Sequence, residues 1–111
     1  MFAEVKAMLP ISGDDYDQEI IIQIRAAVLD LTRTAEIVLP GEVSISLDAE
    51  TGEITDESTL TDELAITAIA TWCNMRIGNP ANYDNLLKAY ESMKGSMRLS
   101  SHYTLYEVTG A

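Results

Sequence analysis

The spacing of apolar residues changes midway along this chain, and that change restricts the fold more than any other feature. From Phe2 to Val38 apolar residues recur every three or four positions. From Val43 to Leu47 they recur every two, and from Leu64 onward every three or four again. The first spacing lines one face of a helix and the second lines one face of a strand. Pro40-Gly41 marks the first switch, because proline and glycine end a helix. The pattern therefore predicts a mainly α fold with one β insertion.

The first helix is expected over about residues 2–9, carrying Phe2, Val5, Met8 and Leu9, with Pro10 stopping it. Asp14 or Asp15 then caps a long second helix over about 15–38. Its stripe is Tyr16, Ile20, Ile24, Ala27, Val28, Leu31, Ala35 and Val38. Ile21, Ile22 and Leu29 widen it, as suits a central bundle helix or one that packs on a second molecule. A β-hairpin follows over about 43–55, with Val43, Ile45, Leu47 and Ile54 on one face and a turn ending at Gly52. A lone hairpin is marginal in water, so it must pack on the helices or pair with a neighbour.

The hydroxyls of Ser58 and Thr59, followed by Asp62 and Glu63, signal a third helix over about 60–77 that stops at Gly78-Asn79-Pro80. A fourth spans about 82–98 with the stripe Tyr83, Leu86, Leu87, Tyr90, Met93 and Met97, and Gly95 weakens its last turns. Residues 99–111 form an extended, β-prone tail without a nearby partner strand. The fold class is thus a small bundle of about four helices with one inserted hairpin and an extended C-terminal tail. The 111 residues suffice for one domain.

Charge narrows what such a bundle can do. Between Arg33 and Arg76 there is no lysine or arginine, while the same stretch holds nine acids. A surface without cations cannot replace the counterions around a phosphate backbone, so the middle of the chain does not bind nucleic acid. It faces a basic partner, repels something acidic, or is a solvated face. The net charge of −11 favours solubility and repels anionic membranes. No apolar run reaches the roughly 18 residues that span a bilayer. The N-terminal residues do not have the pattern of a signal peptide. Cys73 is the single cysteine, which excludes an internal disulfide and fits a reducing compartment.

Reactive chemistry is sparse. His102 is the single histidine, no His/Cys set has zinc spacing, and no glycine-rich phosphate loop occurs. The Asp48–Gly52 turn lacks the alternating ligands and closing glutamate of a calcium loop. Cys73 reads as a small buried hydrophobe and Trp72 as core. No enzyme activity, metal or cofactor is expected.

The order of these pieces, with several local strings, resembles a known family. A short helix ending Val5-Lys6-Ala7-Met8-Leu9 precedes Asp14-Asp15 and an Ile-rich helix. The hairpin and a helix beginning Leu60-Thr61-Asp62-Glu63-Leu64-Ala65 come next. The run from Tyr83 to Lys94 and then Met97 to Thr104 is the most specific part. Together these resemble the small head–tail connector proteins of tailed bacteriophages, also described as DNA-packaging proteins. The likeness covers nearly the whole chain. Where the family often carries Gln-Leu-Arg, this chain has Ser96-Met97-Arg98, so only the arginine matches.

The resemblance implies a structural adaptor that sits under the portal protein and meets a stopper or tail protein. It implies a closed homo-oligomeric ring, about a dozen copies with a heterologous interface. DNA passes through such a ring and is not specifically bound. The hairpin-region acids Glu50, Glu53, Asp56 and Glu57 are then expected to face the channel or a partner. Lys88, Lys94 and Arg98 are expected at inter-subunit contacts, where complementary charge sets register. His102, Tyr103, Leu105 and Tyr106 are expected in a tail that is mobile in the free monomer and docks on the portal or a neighbour. The protein belongs, on this implication, in the virion at the head–tail interface, and in the host cytoplasm before assembly. The competing expectation is an acidic DNA mimic that inhibits a host DNA-binding enzyme.

Overall fold

A computed structural model describes residues 1–11, 13–77, 80–100 and 103. Four helices and a two-stranded antiparallel hairpin make up the fold, as the change of spacing predicts. The elements are α1 (Phe2–Ala7), α2 (Asp17–Leu29) with a π-helical turn (Asp30–Thr34), β1 (Ile45–Leu47), β2 (Ile54–Asp56), α3 (Glu63–Arg76) and α4 (Tyr83–Leu99).

α3 lies at the centre and packs against α1, α2 and α4. It buries Ala65, Ile66, Ala68, Ile69, Ala70, Cys73 and Met75. Alanines at the α3 contacts let neighbouring helices approach closely. From the other elements, Val5, Ile20, Ile24, Leu31, Tyr90 and Met97 complete the core. The width of α2 therefore has a different meaning from that of a central helix. Ile21 is buried, but Ile22 and Leu29 remain 47% and 51% exposed.

The long second helix ends earlier than the stripe predicts. After Leu29 the turn widens, and the Ala35 N–H donates to the Asp30 carbonyl five residues back. Glu36 then enters the left-handed region at φ 56°, and the Ile37 N–H donates to the Leu31 carbonyl. A left-handed residue is a common way to stop a helix. It turns Ile37 into the core at 2% exposure and leaves Val38 40% exposed, the reverse of the helical expectation.

The other boundaries shift less. Met8 and Leu9 form a turn rather than helix, although Leu9 stays buried. α3 begins at Glu63, not at residue 60, because its cap is Asp62, whose carboxylate accepts from the Ala65 N–H at 3.0 Å. The hydroxyls of Ser58 and Thr59 do not cap this helix. They accept from the Ser44 and Glu42 N–H groups at 2.9 and 2.8 Å, extending the hairpin's pairing beyond its strands. α4 runs through Gly95 to Leu99 without a break.

The hairpin pairs Ile45 with Asp56, Ser46 with Thr55 and Leu47 with Ile54. Gly52 supplies a positive φ of 74° at its turn. The hairpin packs on its own chain: Ile45 is buried, and Val43, Leu47 and Ile54 lie against the core. Arg25 of α2 donates to the Ile45 carbonyl. Gly41 makes the entry to this region possible. A β-carbon there would stand 2.6 Å from the Leu60 Cα.

Candidate functional site

The hairpin presents acids in a fixed frame. The Asp48 carboxylate accepts from the N–H groups of Glu50 at 2.8 Å and Thr51 at 3.1 Å. These bonds hold the Asp48 carboxyl below its usual range. The frame leaves Glu50, Glu53 and Glu57 exposed, and none has an ion-pair partner among the described residues. Glu50 and Glu53 lie on the turn and Glu57 just past β2, and carboxylates without ion pairs can repel a polyanion or attract a basic surface.

Asp56 stands apart from those three. Its carboxylate takes the Met1 ammonium at 2.8 Å and the Phe2 N–H at 2.7 Å, and its other oxygen takes the Ser58 N–H at 3.1 Å. Burial acts to raise this carboxyl, but the hydrogen bonds outweigh it and hold the group far below its usual range. Asp56 ties the hairpin to α1.

The three bases of α4 also divide. Lys88 and Arg98 are exposed. Lys94 is turned inward, with its ammonium 3.1 Å from the Asp30 carboxylate and 3.2 Å from Glu91. Burial works against its charge, but the bonds to Asp30 and Glu91 win and raise it. The Asp30 carboxylate also accepts from the Tyr90 hydroxyl at 2.6 Å. Burial first, and Asp30 second, push the Tyr90 phenol well above its usual range. The Tyr90 ring leans on Trp72 at 5.4 Å, and Trp72 donates to Gln23 at 3.0 Å. The Arg76 guanidinium sits 4.1 Å over the Trp72 ring. This network bolts the π turn, α3 and α4 together.

Of the four expected tail residues, His102, Leu105 and Tyr106 lie outside the described residues. Tyr103 is seated in its own chain at 6% exposure. Its hydroxyl donates to the Asp62 carboxylate at 2.6 Å, and its carbonyl accepts from the Val38 N–H at 2.7 Å. Burial, then the Asp62 carboxylate, pushes its phenol up to about 12. Asp62 thus caps α3 and anchors the chain beyond α4.

Large apolar side chains remain exposed in several places, Met8 and Tyr16 among them. Ile22, Leu29 and Val38 flank the region where α2 faces the hairpin, and three adjoining hollows run along that seam. Tyr83, Leu87 and Leu99 are exposed along α4, with Leu99 at 91%. Such surface suits contact with another protein.

Sequence reasoning overlooked Asp30, Gln23 and Asp62 as shared partners. Asp30 carried one usable signal: an acid one residue from the Leu31 stripe, within reach of a lysine only after folding. Cys73 is buried as expected, which pushes its thiol up to about 12. Among the described residues no group of three His, Cys, Asp or Glu side chains could hold a metal ion. No helix among them is long and apolar enough to cross a membrane.

A family model described as "Phage connector protein" matches residues 1–104. No curated protein and no solved structure matches the chain.

Proposed function

Because the chain belongs to the phage connector protein family, we propose that it is a structural subunit that joins the head of the virion to its tail. The family match across residues 1–104 carries this reading. In the proposed assembly the subunits close into a ring, about a dozen copies, beneath the portal protein. The ring continues the DNA channel and offers its far face to a stopper or tail protein. A head-to-tail ring needs two unlike surfaces on each subunit. The uncovered apolar residues beside the hairpin and those along α4 support that requirement.

Within this ring Glu50, Glu53 and Glu57 form part of the channel wall, where their charge keeps DNA phosphates from adhering. Lys88 and Arg98 meet acids of the next subunit and set its register. Lys94 and Asp56 serve the fold of their own subunit instead, given their partners. The tail beyond Tyr103 reaches the portal or a neighbour once assembly begins. No catalytic step is required, and no cofactor. The protein resides at the head–tail interface of the virion, after a period in the host cytoplasm.

The wall is tested by the triple variant Glu50→Gln, Glu53→Gln, Glu57→Gln. Its far-UV spectrum and melting curve should match the parent, because none of the three has an ion pair among the described residues to lose. Particles carrying it should package or eject DNA more slowly. Normal packaging and ejection would remove the wall from the account and leave the acids as a solvated face.

A further inference from the structure

The outer side of α2 has the pattern of a helix-docking ridge. Ile22, Ala26 and Leu29 stand four and three residues apart, so they fall in one line on its surface. Ile22 and Leu29 are exposed, and the small, half-buried Ala26 between them lets another helix approach closely. Two hollows of about 310 and 270 Å³ run beside this line on the hairpin side.

Charge is placed in the same seam. Arg25 borders both hollows, and Asp48 borders the larger. The Arg25 guanidinium donates to the Ile45 carbonyl but has no carboxylate partner among the described residues. The Asp48 carboxylate accepts from backbone N–H groups and has no cation partner among them.

α4 carries the counterpart. Tyr83 and Leu87, four residues apart, form an exposed apolar line. Asp84 and Lys88 are exposed along one edge of that line, and neither has an ion pair among the described residues. An acid and a base on this edge match a base and an acid in the seam. An amphipathic helix laid along an apolar groove is a recurring mode of recognition between chains.

We propose that the Tyr83–Lys88 turn of α4 in one subunit docks on the Ile22–Leu29 line of the next, with Asp84 against Arg25 and Lys88 against Asp48. The contact joins two unlike surfaces, so it propagates head to tail, as a closed ring requires. The proposal rests on the ring reading and names the contact between neighbours in it.

Thiol cross-linking of portal-bound protein tests the docking. Ile22 and Leu87 are both exposed, so replacing them with cysteine leaves the core intact. Native Cys73 is buried with its thiol pushed up to about 12, so the parent should not react. The full-length double variant Ile22→Cys, Leu87→Cys, treated with a short bis-maleimide, should give a ladder of covalent dimers, trimers and larger species. Either single variant alone should stay monomeric. An equal mixture of the two single variants should stop at the dimer, because each chain then carries one reactive thiol. Should the double variant fold poorly, Leu29→Cys with Tyr83→Cys reads the same contact. Rings that form on the portal without a ladder in either pair would overturn the docking and leave the ring reading intact. Covalent dimers from a single variant would also overturn it, because like surfaces would then be meeting. Bare portal particles with no ladder would remove both the docking and the ring.

Discussion

Asp30 ties the end of α2 to α4. Its carboxylate serves Tyr90 and Lys94 at once, and both lie on α4. Tyr90→Phe keeps the ring against Trp72 but removes the hydroxyl bond. We expect a loss of about 1–2 kcal/mol in denaturant unfolding, because Lys94 still satisfies the acid. Asp62→Ala should cost about 1–2 kcal/mol through the lost cap, and it also removes the carboxylate that accepts from the Tyr103 hydroxyl. Tyr103 adds a pH dependence. Its folded-state pKa is raised to about 12 from an ordinary value of 10.0, so the folded chain holds the phenolic proton more tightly than the unfolded one. This contribution is complete below pH 10 and is lost as pH rises through about 12. Alkaline melts of the parent should show this loss, and Tyr103→Phe should lack that part of the slope. None of these pairings could be read from the sequence. Tyr90 and Trp72 look there like ordinary core residues, since their polar atoms find partners 60 and 49 positions away.

At the scale of elements, the sequence was legible wherever one periodicity ran unbroken. The stripe of α3 and the alternation of Val43, Ile45 and Leu47 located both elements, because each buries one continuous face. The end of α2 was not legible. Ala35 and Val38 extend the helical spacing, but burial of Ile37 demands a turn out of the helix, which Glu36 provides. Nothing in a glutamate signals positive φ. Glu36→Gly should therefore raise the unfolding midpoint, by about 1 kcal/mol in stability, as left-handed strain at a β-carbon is relieved. Gly41→Ala should act oppositely. Its new methyl would meet the Leu60 backbone, and we expect a loss of about 1–3 kcal/mol by the same measurement. The hydroxyls of Ser58 and Thr59 misled for a related reason. A hydroxyl before an acid reads as a helix cap, yet here the open backbone of Glu42 and Ser44 lies nearer than the helix start.

For the whole molecule, charge and uncovered apolar surface are distributed to different places. Glu50, Glu53 and Glu57 project from the hairpin, apolar residues line its seam with α2, and a second apolar row with Lys88 and Arg98 follows α4. The candidate site was legible as composition, since the cation-free stretch is plain in the sequence. Its shape was not, because folding commits Asp56 and Lys94 to internal partners and leaves the others outside. The proposed ring needs two unlike surfaces on each subunit, and the exposed apolar residues beside the hairpin and along α4 are the candidates for them. Negative-stain imaging of the purified protein, alone and mixed with its portal protein, tests that claim most directly. Ring-shaped density with a central channel, seated on one face of the portal, is the expected result. Portal particles that stay bare at saturating protein, with no rings in either sample, would contradict it.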